Sequence, residues 1–175
     1  MDEPVAFREA IQSDLTDEEW KDLVTPGTLL NERWKSQVDV IAWFLKQLKY
    51  AAVPVLWRPC HEMNGTWFWW GQKKGDDGYK KLWQMMFDRL VNFHGLNNLV
   101  WVYKTNEFKD GVDTHGTYYP GDNFVDILAT DVYTEGFDQV NYDQILELAG
   151  DKPIALGEVG MPPSVELLQE QPIQK

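Results

Sequence analysis

Apolar residues recur along this chain in two rhythms, one of three to four residues and one of short unbroken runs. Trp34, Val38, Ile41, Leu45 and Leu48 fall on one face of a helix that ends near Tyr50. A second stripe of Tyr79, Leu82, Trp83, Met86, Phe87, Leu90 and Phe93 predicts another helix, with Gly95 as its stop. A shorter helix is expected around 142–149. Upstream, Thr16 with Glu19 three residues on reads as a capping box opening a helix in an otherwise acidic, weakly periodic stretch over 1–33. The unbroken runs predict strands over 53–58, 98–103, 125–133 and 153–157.

Strand and helix therefore alternate, and the strands are apolar on both sides. That pattern belongs to parallel strands covered on both faces, as in α/β folds. Four βα units are visible, with no repeat of fixed period and no low-complexity segment. Two longer loops interrupt the alternation. One, over 72–78, is rich in Gly and Lys. The other, from Lys104 to Asn123, is polar and carries a turn signal at Tyr118-Tyr119-Pro120-Gly121-Asp122. The last stretch, 162–175, is polar and broken by proline.

A chain of 175 residues can bury one real core. Its 43% hydrophobic and 25% charged content is ordinary, but the 14% aromatic content is high. A net charge of -12 argues against nucleic acid and against anionic membranes, since phosphate contacts need a basic surface. No run is apolar enough over a sufficient length to span a bilayer, and the acidic start is unlike a signal peptide. The single cysteine, Cys60, excludes an internal disulfide and offers no metal framework.

The densest chemistry lies in Arg58-Pro59-Cys60-His61-Glu62-Met63-Asn64-Gly65-Thr66-Trp67-Phe68-Trp69-Trp70-Gly71. It places a carboxylate, Glu62, among large rings just past the C-terminal end of a strand, the rim where a β/α barrel keeps its chemistry. Glu158 follows the strand over 153–157 in the same way. Two carboxylates at one rim are the equipment of glycoside hydrolysis. An arbitrary glutamate is far more often a solvated loop residue, but His61, the aromatic run and the matched strand ends outweigh that prior. Asp131 and Tyr133 end another strand two residues apart, so their side chains point the same way. A lone His61 without a second ligand at metal spacing makes a poor metal site, and neither metal nor cofactor is expected.

These motifs resemble glycoside hydrolase family 26, whose members are mainly endo-β-1,4-mannanases. The likeness continues in order through Asn98-Leu99-Val100-Trp101-Val102-Tyr103, Tyr119-Pro120-Gly121-Asp122, Asp131-Val132-Tyr133 and Lys152-Pro153-Ile154-Ala155-Leu156-Gly157-Glu158, covering about residues 28–161. It implies a (β/α)8 TIM barrel and a retaining mechanism. Glu62 matches the family's acid/base, Glu158 its nucleophile, Tyr133 its conserved tyrosine and Asp131 the acid before it. Trp67 matches the substrate platform, while Arg58, His61 and Trp70 are supporting residues. The resemblance also implies a β-mannan-type substrate and an extracellular setting. Cys60 stands where a bulkier apolar residue is expected.

Matching motifs to barrel strands makes the four visible strands the fourth to the seventh. The chain then reads as a partial catalytic domain over 1–175, without the first three strands and the last. A non-catalytic polysaccharide-binding module or an inactive fragment is the alternative to a mannanase. Within the family, a β-1,3-xylanase or a mixed-linkage β-glucanase also stays open.

Overall fold

A computed structural model describes residues 10–107, 113–133, 139–160, 162, 164 and 165. Helix α1 (Asp17–Val24) opens on the expected capping box. Thr16 Oγ1 accepts from the Glu19 N–H at 3.2 Å, and Glu19 Oε2 accepts from the Thr16 N–H at 2.9 Å. Helix α2 (Leu29–Tyr50) is capped by Thr28 and ends where the sequence places it. Its buried face is Asn31, Trp34, Val38, Ala42 and Leu45. Ile41 and Leu48, expected on that face, are instead exposed, because the stripe turns toward Ala42.

Strand β1 (Val55–Trp57) leads through the aromatic loop to α3 (Tyr79–Phe87), which continues as a π-helical turn over Asp88–Phe93. The wider turn changes the helical phase. Phe93 therefore leaves the predicted buried stripe and lies on the surface under the Arg89 guanidinium, 3.7 Å from its ring centre. Arg89 in turn makes two bonds to Asp39, at 2.7 and 2.6 Å, and His94 Nε2 adds a third at 2.7 Å. This cluster ties α2 to the end of α3.

Strand β2 (Leu99–Thr105) starts one residue later than the apolar run over 98–103 and continues two residues past its end. Lys104 and Thr105, read from sequence as loop, are strand residues and are buried. A short 3₁₀ turn (Asp122–Phe124) leads into strand β3 (Ile127–Val132), followed by helix α4 (Gln139–Ala149) and strand β4 (Ile154–Val159). Most of the proline-broken stretch over 162–175 lies outside the described residues.

The four strands are parallel and stand in sequence order, β1-β2-β3-β4. A doubly wound sheet reverses its strand order at a switch point. This one does not, so it is an arc of a half-barrel. One face carries Trp101, Tyr103 and Leu128 into the core with Tyr79, Leu82, Trp83 and Leu90 of the α3 segment. The register puts Val102, Lys104, Ala129 and Asp131 on the opposite, inner face. Between β3 and β4 the pairing slips by one residue. Thr130 pairs with Leu156 but Asp131 with Glu158, leaving Gly157 as a bulge. The extra residue turns Glu158 onto the inner face beside Asp131, the usual consequence of a bulge near a site.

Candidate active site

The loop after β1 is held in a shape that costs backbone energy. Cys60 and Glu62 both adopt left-handed conformations, with φ of 47° and 55°. Such residues cost about 1–3 kcal/mol each and persist only where their surroundings over-determine them. Here the restraints are many. The Tyr79 hydroxyl donates to the Cys60 carbonyl at 2.9 Å, and Trp70 Nε1 to the His61 carbonyl at 2.8 Å. The Glu62 N–H donates to the Lys104 carbonyl at 3.0 Å. Buried Asn64 clasps the backbone of Asn106 with both ends of its amide, at 2.9 Å each. Gly65 and Gly71 allow close approach. A side chain on Gly65 would strike the Trp67 ring, and one on Gly71 the Gly65 carbonyl.

These restraints aim Glu62 inward. Its carboxyl is buried and accepts from Trp67 Nε1 at 2.8 Å. Trp67 itself is 38% exposed, so one face of the ring remains open beside the carboxyl it holds. Trp70 is buried and stacks on Phe68 at 4.5 Å between ring centres, which makes it a prop for the loop. His61 lies between the two glutamates, with Nε2 4.0 Å from Glu62 Oε2 and 3.9 Å from Glu158 Oε1. Burial lowers its pKa, and the charges of Lys104 and Arg58 push the same way against those of Glu62 and Glu158. The ring is therefore neutral at neutral pH.

Glu158 receives three donors. The Tyr133 hydroxyl donates at 2.6 Å, Arg58 Nη1 at 3.1 Å, and the Lys104 ammonium contacts Oε1. Burial works against its charge, but the bonds from Lys104 and Tyr133 outweigh it. The charges of Lys104 and Arg58 add to them, and the carboxyl is held down at about 2. Lys104 also contacts Asp131, whose side chain is fully buried. Burial pushes the Asp131 carboxyl up, helped by a hydrogen bond with Glu62 and the charge of Glu158, against the pull of Lys104.

Glu62, Asp131 and Glu158 each present an oxygen within 4.8 Å of the others. Among the described residues this is the one carboxylate trio with a spacing that could hold a cation. Lys104 already places its ammonium against two of the three, so the trio is a charge cluster closed by the chain itself and not a set of metal ligands. All the residues singled out from sequence, Arg58, His61, Glu62, Trp67, Trp70, Asp131, Tyr133 and Glu158, thus meet at one end of the sheet. Sequence reasoning missed Lys104 and Gly157. Carrying the alternation of β2 one residue past Tyr103 would have put Lys104 on the face of Val102, pointing inward.

The family model for glycosyl hydrolase family 26 matches residues 4–175. A mannan endo-1,4-beta-mannosidase of Thermothelomyces thermophilus is 48% identical over 135 residues, covering 75% of this chain and 26% of that protein. The solved structure of GH26A from Muricauda sp. MAR_2010_75 superposes with a TM-score of 0.90 at 52% identity, covering 98% of this chain and 57% of the other. A beta-mannanase from a symbiotic protist of the termite Reticulitermes speratus, solved with gluco-manno-oligosaccharide, gives a TM-score of 0.75 at 34% identity. It covers 92% of this chain and 49% of that one. The chain thus spans from about a quarter to somewhat more than half the length of these relatives. With a family match along nearly its whole length and a fold that superposes on solved members, this chain belongs to glycosyl hydrolase family 26.

Proposed function

We propose that this chain carries the catalytic centre of a retaining glycoside hydrolase that cleaves internal β-1,4-mannosidic bonds, with Glu158 as nucleophile and Glu62 as acid/base. The observation that carries the reading is the approach of the two carboxylates to within 4.8 Å. Retaining enzymes hold their carboxyl groups about 5–5.5 Å apart, whereas inverting ones need about 6.5–9.5 Å to admit a water. The asymmetry of the surroundings supports the same division of labour. Glu158 is ringed by donors that favour its anion. Glu62 lies buried against an indole, and Trp67 is its donor.

The Glu158 carboxylate attacks the anomeric carbon while Glu62 gives its proton to the departing glycosidic oxygen. A glycosyl ester on Glu158 results. Glu62, now a carboxylate, takes a proton from a water that attacks the same carbon, and Glu158 leaves as the anion. The neutral His61 packs between them. The open face of Trp67 offers a flat apolar surface to a sugar ring. The substrate class follows the mannan endo-1,4-beta-mannosidases among the relatives. A polymer of that size places the reaction outside the cell.

We also read the sheet as strands four to seven of an eight-stranded barrel. Both outer strands lack a partner on one edge among the described residues, and parallel edges of this kind are normally covered. The side chain of Leu56 on β1 is 69% exposed. Helix α2 leaves Val40, Trp43, Phe44 and Tyr50 uncovered along one flank. The remaining strands close the cleft and complete the subsites.

The test uses the complete barrel acting on β-mannan, with the anomeric configuration of fresh product followed by NMR. Retention is expected, and initial release of the inverted anomer overturns the assignment. Glu62→Ala should lose activity on mannan while still forming the glycosyl ester from aryl mannosides with good leaving groups. Equal loss on both substrates removes Glu62 from the acid/base role.

A further inference from the structure

We propose that Lys104 is a positioning residue of this reaction, its buried ammonium clamping Glu158 and Asp131 together on the inner face while its backbone carbonyl fixes Glu62 opposite them. This rests on the assignment of the two glutamates above. Four observations carry it. The Lys104 side chain is completely buried and contacts both Glu158 and Asp131. The Glu62 N–H donates to the Lys104 carbonyl at 3.0 Å, so one residue touches both reacting glutamates. The lysine stem runs over the bare backbone of Gly157, where a methyl group would lie 2.8 Å from Cδ and from Asp131 Oδ1. The bulge at Gly157 is also what turns Glu158 toward the ammonium.

The site is thus built around a lysine stem, which no fully buried cation could occupy unpaired. Its burial keeps it from binding a sugar substituent directly. Its effect on the reaction passes through Glu158. The groups facing that carboxylate are Arg58, His61 and Glu62 from the loop after β1, Lys104 from β2, and Asp131 and Tyr133 from β3 and its end. Of the two cations, Arg58 is partly exposed and screened by water, whereas Lys104 is dry. Lys104 is therefore the stronger influence on the charge of Glu158, in line with its leading place among the groups that lower its pKa.

The experiment compares Lys104→Met, Gly157→Ala and Glu158→Ala in the complete barrel, with kcat/KM on mannan followed against pH and a thermal melt for each. Removing the ammonium leaves Glu158 easier to protonate. The acid limb of kcat/KM should then move to higher pH by about 1–3 pH units. Loss of alignment should lower kcat by about 10²-fold. Gly157→Ala keeps the charge but displaces the stem, and it should move the same limb in the same direction. A lysine that served only the fold would lower the melting temperature and leave the limb in place, which overturns the proposal. Should Lys104→Met fail to fold, Gly157→Ala decides by the same criterion. Glu158→Ala separates the two levels. If it stays active, the catalytic assignment itself fails. If it is dead while the limb of the other variants stands still, only the role of Lys104 is lost.

Discussion

Shortening Glu158 by one methylene tests the geometry most directly. Glu158→Asp keeps the charge and draws the carboxylate back by about one C–C bond, roughly 1.5 Å. The carboxyl oxygens of Glu62 and Glu158, now within 4.8 Å, would then stand about 6 Å apart, near the lower edge of the inverting range. The retreat also loosens the bonds from Tyr133 at 2.6 Å and Arg58 at 3.1 Å, and the contact with Lys104. Productive attack needs reacting atoms about 3–3.5 Å apart, and a misplacement of about 1 Å costs around 10²-fold. The expected loss in kcat is therefore about 10²–10³-fold, equivalent to roughly 3–4 kcal/mol of barrel-imposed alignment. The assay is steady-state mannan hydrolysis by the complete barrel, with single-turnover trapping on an aryl mannoside to isolate the attack. The melting temperature should fall modestly, because the buried Lys104 ammonium loses part of its contact with Glu158 while Asp131 still holds it. A variant within tenfold of the parent would falsify the idea that arm length at this position sets the reaction.

Three further outcomes are expected. Trp67→Ala removes both the open ring face and the donor to Glu62, and should lower kcat/KM on mannan by at least about tenfold, the worth of one such hydrogen bond. A melt that collapses with it would make the ring a core element. The second concerns acid stability. The Arg89 bond holds the Asp39 carboxyl at about 2, below its ordinary 3.8, with burial opposing and His94 assisting. A depressed acid stabilises the fold above its unfolded value and loses that contribution as pH falls through the folded one. The melting temperature should fall between about pH 4 and pH 2, and Asp39→Asn should flatten that slope. It should do so only in part, because Glu158 titrates over a similar window. A slope unchanged in Asp39→Asn refutes the link. Third, residues 1–175 expressed alone should melt without cooperativity and release no reducing sugar from mannan, since open strand edges and the uncovered flank of α2 stay in water. A cooperative melt with turnover like that of the complete barrel would refute this.

Much of this protein was already determined by its sequence. Periodicity, caps and unbroken apolar runs located the four α-helices and the four strands, because each depends on neighbours a few residues apart. The Thr16–Glu19 box and the end of α2 at Tyr50 are such cases. Family motifs likewise named Glu62, Glu158, Tyr133 and Trp67 before any contact between them was known. Tertiary structure decided what depends on distant partners. Ile41 and Leu48 have helical spacing, but only the packing of α2 leaves them on the surface. Phe93 is apolar and in phase, but a π turn moves it outward. Lys104 reads as the polar start of a loop, because nothing local justifies burying an ammonium. Only the pairing of β2 with β3, and the bulge that brings Glu158 round beside Asp131, supply the two carboxylates that make its burial affordable. A charge is stable in the interior when its partners are, and those partners lie 27 and 54 residues away along the chain.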